Sequence, residues 1–221
     1  MINKIKYKLV IFDCDGVLVD SEQLSNRLFT EMVNELGLSL TCNESKKLFT
    51  GRTDDDCIKI VESMLEGRSV PTGFIEDFNN RLFVLLDTDL TAVKNVDKVL
   101  DFLQEIPVCV AANAPAKKVK RSLRLTNLSI YFNDNVFTVQ DVKRGKPFPD
   151  LYLYAAEKMG IQPNECVVIE DSVFGVRAGI AAGMSVFGYT ERSDEALLEK
   201  EGALIFNNML DLPLLLNSFK R

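Results

Sequence analysis

The sequence predicts an α/β fold in which a doubly wound, mostly parallel sheet carries an inserted all-helical domain. Short apolar strands alternate with amphipathic helices over the second half of the chain, a pattern typical of a parallel sheet covered on both faces. An isolated apolar run at residues 7–12 supplies one more strand, and no convincing strand follows between residues 20 and 90. We therefore predict a core domain at 1–19 and 92–221, and a helical cap at 20–91.

The individual elements follow from local patterns. Residues 7–12 form an apolar run, with Lys8 its only charge, that ends at a turn signal, as buried strands do. Asp20 or Ser21 can cap the first helix, and Gly37 ends it. Helices of the insert are predicted at residues 21–36, 44–50, 54–66 and 73–87. Core strands are predicted at 108–112, 136–139, 167–170, 185–188 and 204–206, and core helices at 96–106, 115–125, 150–159, 173–182, 194–200 and the C-terminus.

Composition narrows the class of protein. Of the 221 residues, 47% are hydrophobic and 26% are charged, as in ordinary soluble domains. We find no signal peptide and no apolar stretch long enough for a membrane span. Five widely separated cysteines without a CxxC motif favour a reducing compartment, and the net charge of −6 disfavours nucleic-acid binding. We expect a cytoplasmic monomer or weak dimer with no nucleic-acid or membrane partner.

The chain contains no histidine. Its absence excludes Ser-His-Asp and Cys-His catalysis and histidine metal sites. Acid–base chemistry therefore falls to carboxylates, lysine, tyrosine or cysteine.

Carboxylates follow two of the predicted strands. Asp13 and Asp15 come directly after the first strand, and Glu170 and Asp171 end another. In an open α/β sheet, ligands bind at the carboxyl ends of the strands. If these carboxylates converge with Lys146, the site suits a hard cation such as Mg²⁺ and a phosphoryl group.

Each of these features also has an ordinary structural interpretation. Asp15 and Gly16 could form a simple turn, residues 170–172 could only cap the next helix, and Lys146 could be a solvated loop lysine. The basic run of the helix at 115–125 could be a nucleic-acid patch, although a solvated helix face is the favoured interpretation. Its members are Lys117, Lys118, Lys120, Arg121 and Arg124.

Three segments together resemble the haloacid dehalogenase (HAD) superfamily, and specifically its phosphatases with a helical cap. Residues 13–21, Asp-Cys-Asp-Gly-Val-Leu-Val-Asp-Ser, are similar to the first motif of that family. Residues 145–150, Gly-Lys-Pro-Phe-Pro-Asp, resemble the third, and residues 168–175, Val-Ile-Glu-Asp-Ser-Val-Phe-Gly, resemble the fourth. Their order and spacing fit, and the resemblance implies a Rossmann-like core with Mg²⁺ as cofactor.

The second motif departs from the family pattern. A strand in this position usually ends in Ser or Thr, whereas here Ala112 stands where the phosphate-binding hydroxyl is expected. Backbone N–H groups near Asn113 and Ala114, at a helix N-terminus, can still bind phosphate. One charge-assisted hydrogen bond is missing, typically worth about 1.5–3 kcal/mol.

The resemblance also implies a mechanism and a ligand set. Asp13 attacks phosphorus to form an aspartyl phosphate, and Asp15 protonates the leaving alcohol and then activates water. Mg²⁺ is held by Asp13, the Asp15 carbonyl, Asp171 and, directly or through water, Glu170. Lys146 neutralises a phosphate oxygen and orients Asp13.

Several alternatives stay open. A dehalogenase needs neither the second aspartate nor the metal cluster. β-Phosphoglucomutases, which this chain resembles, usually carry a histidine where Ser25 falls and an arginine where Asp54 falls. A degenerate phosphometabolite-binding member is suggested only by Ala112.

The substrate is expected to be a small phosphorylated metabolite, by default a sugar phosphate. Cap residues near 51–54 are expected to choose it. Arg52 and Thr53 are the candidates, although Arg52 could equally be a surface arginine.

Overall fold

The computed structural model describes residues 7–49 and 54–218, and these residues form two compact units. The core unit is drawn from Met1–Asp20 and Thr91–Arg221, and the helical unit is Ser21–Leu90. Arg52 and Thr53, the predicted specificity residues, lie outside the described residues. No helix among the described residues is both long enough and apolar enough to span a membrane.

The core unit is built on a six-stranded sheet in which every pairing is parallel. The strands are β1 (Leu9–Phe12), β2 (Val108–Ala112), β3 (Val136–Thr138), β4 (Cys166–Glu170), β5 (Ser185–Tyr189) and β6 (Leu204–Phe206). Their order is β3-β2-β1-β4-β5-β6, so the chain builds outward from β1 in one direction and then, from β4, in the other. The predicted doubly wound parallel sheet is confirmed. The carboxyl ends of β1 and β4 meet at its topological switch point, where such folds bind ligands.

Both faces of the sheet are buried. Leu9 and Ile11 of β1 pack on one face against the helices that follow β3 and β4, while Phe12 contacts the ring of Phe132 on the other face. All four residues of β1 are fully buried, which explains its unbroken apolar sequence. The helices are α5 (Val96–Phe102), α6 (Ala116–Leu125), α7 (Ser129–Phe132), α8 (Asp150–Lys158), α9 (Val173–Ala181), α10 (Glu195–Lys200) and α11 (Leu212–Ser218).

One local prediction for the core was wrong, and one short helix was missed. The helix predicted over 96–106 ends at Phe102, because the chain then forms tight turns before Pro107, which disfavours helix in the residue before it. The short helix α7 was not predicted, since four residues are too few to show a helical repeat.

The helical unit consists of four helices and, among its described residues, has no strand. They are α1 (Ser21–Glu35), α2 (Cys42–Phe49), α3 (Asp54–Met64) and α4 (Phe74–Asp89). Phe29 lies at the centre of their apolar core, and its ring contacts Phe49, Phe74 and Phe78 edge to face. The unit thus has a hydrophobic core of its own.

Candidate active site

The candidate site lies where β1 and β4 end side by side. The two strands pair in register, with Phe12 beside Ile169, so the residues that follow these two lie side by side at the end of the sheet. The Asp13 backbone N–H continues the ladder by donating to the Ile169 carbonyl at 3.0 Å. This pairing places Asp13 next to Glu170, although the two residues are 157 positions apart in the sequence. The sheet brings them together.

A buried lysine joins these two carboxylates. Lys146 Nζ lies 2.5 Å from Asp13 Oδ1 and 2.6 Å from Glu170 Oε1, and only 4% of the Lys146 side chain is exposed. Charge-assisted hydrogen bonds of this length are among the stronger polar contacts in proteins. The alternative that Lys146 is a solvated loop lysine is therefore wrong.

Glu170 serves as the anchor of this lysine. Its Oε1 accepts hydrogen bonds from Lys146 and from the Tyr152 hydroxyl, the latter at 2.8 Å. Its Oε2 accepts from the Asp171 N–H at 3.0 Å and from the N–H and hydroxyl of Ser172, both at 2.9 Å. A carboxylate offers about four lone-pair sites. A cation could contact Glu170 directly only in exchange for one of these donors.

The pKa values in this cluster follow from burial and charge. Burial raises the pKa of Asp13 from 3.8 to about 7; Lys146 opposes this rise, while the charge on Glu170 adds to it. Burial also disfavours ionised Glu170, but Lys146 and the hydrogen-bond donors outweigh it and lower the pKa of Glu170. Burial likewise disfavours the Lys146 ammonium, yet Asp13 and Glu170 hold its pKa well above the usual range. Lys146 is therefore charged, and its two carboxylate partners compete for that charge.

Two glycines allow the close approaches that the cluster needs. Gly175, in the first turn of α9, lies so near Glu170 that an added Cβ would come within 1.7 Å of Oε1. Gly16 has φ +82°, and a Cβ there would come within 2.0 Å of Asp171 Oδ2. A side chain at Gly16 would be strained and would also collide with that carboxylate. The glycines of the first and fourth motifs thus hold the backbone against the two acids.

Asp171 completes a group of three acids. Ligand oxygens of Asp13, Glu170 and Asp171 all lie within 4.8 Å of one another. Ser172 also caps α9, because its Oγ accepts from the Gly175 N–H at 3.0 Å. Ser172 therefore caps the helix, as the structural interpretation held, while Glu170 and Asp171 bring two carboxylates to the site.

Asp15, the second carboxylate of the Asp-x-Asp pair, contacts a different cation. Lys118 Nζ donates to Asp15 Oδ2 at 2.9 Å, with 39% of the Lys118 side chain exposed. Burial lowers the pKa of Lys118, but the charge of Asp15 and this hydrogen bond raise it above its usual value. The interpretation of the whole basic run as a solvated face is therefore wrong for Lys118.

The end of β2 holds the two residues predicted to bind phosphate, Ala112 and Asn113. Ala112 is buried and pairs in the sheet with Thr138. The Thr138 hydroxyl cannot replace the missing one at Ala112, because it bonds Asp141 Oδ2 at 3.1 Å. The Asn113 side chain binds the Lys146 backbone twice, accepting from its N–H at 2.9 Å and donating to its carbonyl at 3.0 Å. Asn113 therefore positions the loop that carries Lys146.

Sequence reasoning missed three contributors to this site. Tyr152 anchors Glu170, Lys118 contacts Asp15, and the Asn113 side chain fixes the Lys146 loop. A lysine in the first turn of α6 was an available signal, because cations are disfavoured there. Tyr152 gave no comparable signal, because a tyrosine in a buried helix face is usually core.

Comparison with known proteins gives one family. A family model for haloacid dehalogenase-like hydrolases matches residues 7–183. The 6-phosphogluconate phosphatase of Escherichia coli (strain K12) is 32% identical over 209 residues, which are 94% of both chains. The phosphorylated carbohydrates phosphatase of Thermotoga maritima is 31% identical over 198 residues, which are 86% of this chain and 89% of the other.

A solved structure is similar to this chain over nearly all of its length. The HAD family hydrolase from Deinococcus radiodurans R1, determined with bound phosphate and sodium, has a TM-score of 0.87 to this chain. The two are 29% identical, and the match covers 96% of each.

The buried anchor makes a prediction about stability. Glu170→Ala would remove one of the two carboxylate partners of buried Lys146 and the acceptor of the Tyr152 hydroxyl, so we expect the free energy of unfolding to fall by about 3–5 kcal/mol. The matched control is Glu165→Ala, immediately before the same strand, which removes an exposed ion pair: the side chain of Glu165 is 33% exposed and that of Lys8 is 62% exposed. That change should cost about 0–1 kcal/mol. Urea denaturation followed by circular dichroism measures both, and equal losses would contradict the anchoring role of Glu170.

Proposed function

The chain belongs to the haloacid dehalogenase-like hydrolases and is a phosphoric monoester hydrolase, and on this premise we propose that it is a Mg²⁺-dependent phosphatase of a small phosphorylated sugar. One observation carries the proposal: Lys146 is buried between Asp13 and Glu170 at the switch point of the sheet, with Asp171 beside them. This is a carboxylate nucleophile held by a cation, next to a group of acids that suits a hard metal ion.

In the first step, a carboxylate oxygen of Asp13 forms a bond to phosphorus, and the bond from phosphorus to the sugar oxygen breaks. Asp15 gives its proton to that oxygen, so that the sugar leaves as an alcohol. Lys146 holds Asp13 in place through Oδ1 and offsets negative charge on the phosphoryl group.

In the second step, water attacks the phosphorus of the aspartyl phosphate. Asp15, now ionised, takes a proton from that water, and the bond from phosphorus to Asp13 breaks. The products are inorganic phosphate and a restored Asp13, and the net reaction adds one water to the ester.

The residues present fit a divalent cation. Ligand oxygens of Asp13, Glu170 and Asp171 lie within 4.8 Å of one another, and oxygen ligands without histidine or thiolate suit Mg²⁺. Asp13, Asp171 and the Asp15 carbonyl would hold it, and Glu170 would act through water because its oxygens already accept hydrogen bonds. When bound, Mg²⁺ would supply positive charge that lets a carboxylate approach an anionic phosphate.

The substrate class rests on the relatives. Two phosphatases similar to this chain along most of its length are named for 6-phosphogluconate and for phosphorylated carbohydrates. We extend the class of phosphorylated sugars to this chain, with Arg52 and Thr53 as the residues proposed to select among them. A screen of phosphorylated metabolites tests this choice. A cytoplasmic monomer or weak dimer remains our proposal for the assembly.

Two alternatives are less well supported. Ser25 and Asp54 stand where a phosphosugar mutase usually has a histidine and an arginine, and they lie in α1 and at the first residue of α3. A degenerate binding protein would have little need for Asp13, Asp15 and a buried Lys146 held in one network. A phosphatase assay separates both alternatives from hydrolysis.

The nucleophile makes the first functional prediction. Asp13→Asn should lower kcat by about 10³-fold or more, because an amide does not attack phosphorus, and losses of this size follow removal of a nucleophile elsewhere. The control is Asp134→Asn, an exposed aspartate of the same unit, which should leave kcat unchanged. Release of inorganic phosphate from 6-phosphogluconate and p-nitrophenyl phosphate measures both. Asp13→Asn with more than about a tenth of the native rate would contradict covalent catalysis by Asp13.

The second functional prediction concerns the metal. Chelation should abolish turnover, Mg²⁺ should restore it, and Ca²⁺ should restore little because Ca²⁺ prefers a looser and higher coordination. Asp171→Asn should raise the Mg²⁺ concentration for half-maximal activity by at least about 10- to 100-fold, the range already seen when residues that only orient metal ligands are changed, while Asp134→Asn should not change it. Full activity in excess chelator would remove the metal from the mechanism.

The third functional prediction concerns Ala112. Ala112→Ser restores the expected hydroxyl and should raise kcat/KM by about 3- to 10-fold, less than the full value of a charge-assisted hydrogen bond. The measurement compares the two proteins on one sugar phosphate. A clear decrease would show that the buried end of β2 has been rebuilt around alanine.

A further inference from the structure

The Asp-x-Asp pair is divided between two cations that come from different elements. Asp13 is held by Lys146, which follows β3, whereas Asp15 is held by Lys118 of α6. The second contact joins residues that are 103 positions apart in the chain. The two carboxylates of the pair are therefore fixed independently of each other.

Lys118 occupies an unfavourable place in its own helix. It is the third residue of α6, whose first turn contains no acidic residue. A helix N-terminus carries a partial positive charge, so a lysine in the first turn costs rather than contributes stability. The backbone N–H of Ala116 at this end is satisfied by Gln140 Oε1 at 2.9 Å, without any help from Lys118. Local helix chemistry thus gives no reason for Lys118, while Asp15 does.

The contact also suits the work assigned to Asp15. A general acid has to stay within hydrogen-bond reach of the atom that it protonates. Asp15 is 28% exposed at its side chain, far more than Asp13, so neighbouring packing restrains it less. The hydrogen bond from Lys118 to Oδ2 therefore adds a restraint on the Asp15 carboxylate.

We propose that Lys118 is a positioning residue that holds the Asp15 carboxylate in place for proton transfer to the leaving alcohol. This inference rests on the proposed function, because it assigns Lys118 to the acid–base half of that mechanism. Lys118 acts through Asp15, and it does not take part in forming or breaking a bond.

The test uses leaving groups that differ in their need for a proton. A sugar leaves as an alcohol and needs one, whereas nitrophenolate is a stable anion and leaves without one. In Lys118→Met, kcat/KM for 6-phosphogluconate, or for whichever sugar phosphate is turned over fastest, should fall by about 10- to 100-fold, part of the usual worth of general acid catalysis. For p-nitrophenyl phosphate, kcat/KM should change by less than about threefold, because it reports only the steps up to phosphoryl transfer to Asp13.

Three further variants separate positioning from other roles. Lys117→Met, at the exposed neighbouring lysine, should change neither substrate's kcat/KM. Lys118→Arg should recover much of the loss on the sugar phosphate, since it keeps a cationic donor. In an Asp15→Asn background, adding Lys118→Met should have little further effect on the sugar phosphate, because the two changes remove one function.

The outcomes are distinct. The proposal is supported if Lys118→Met lowers kcat/KM for the sugar phosphate alone, and if this effect disappears in the Asp15→Asn background. Equal losses on both substrates would overturn it and would make Lys118 a phosphate-binding residue, and no loss on either substrate would also overturn it. If the unmodified protein hydrolyses neither ester with Mg²⁺ present, the proposed function itself fails. That failure is seen without any variant, so it is distinct from a failure of the role proposed for Lys118.

Discussion

The site depends on one buried ammonium group held between two carboxylates. Lys146 loses nearly all contact with water, and such a charge is tolerated only where partners replace the lost hydration. Asp13 and Glu170 provide that replacement, and Glu170 in turn is fixed by Tyr152, Ser172 and the backbone of Asp171. Removing any of these residues takes a hydrogen-bond or ion-pair partner away from another buried polar group. The network therefore couples the stability of the core unit to the position of Asp13, the nucleophile that we propose.

Backbone geometry makes this network possible. The parallel pairing of β1 with β4 places their ends together, and Gly175 lets α9 begin directly against the Glu170 carboxylate. The Asn113 side chain ties the Lys146 loop to the end of β2. Ala112 breaks the family pattern at the end of that strand, so in the function we propose the affinity for phosphate would rest on Lys146, backbone N–H groups and the metal.

Much of the architecture could be predicted from the sequence because its signals are local. An apolar run ending in Asp13 marks β1, and alternation of strands and helices implies the parallel sheet and hence the convergence of Asp13 with Glu170 and Asp171. The family could also be predicted, because each of its motifs is a contiguous stretch of sequence. Boundaries such as the early end of α5 were less predictable, since turns before a proline compete with a helical pattern of similar strength.

What the sequence did not reveal depends on contacts between distant residues. The sequence around Glu170 does not indicate that both of its carboxylate oxygens accept hydrogen bonds, because the donors include the distant residues Lys146 and Tyr152 as well as the adjacent backbone. The assignment of Lys118 to a solvated face followed composition, and only the fold shows that one lysine of that run reaches Asp15. Solvation of a charged helix is the ordinary outcome, so an exception such as Lys118 is visible only in three dimensions.

The central claim is that Asp13, held by Lys146, accepts the phosphoryl group. The most direct measurement is to quench the Mg²⁺-loaded protein with acid during turnover of a phosphate ester labelled at phosphorus, and to map the label by peptide mass spectrometry. Our account predicts label on the peptide that contains Asp13, at Asp13 itself, and none in Asp13→Asn. Steady turnover with no labelled peptide, or with the label on another residue, would contradict it.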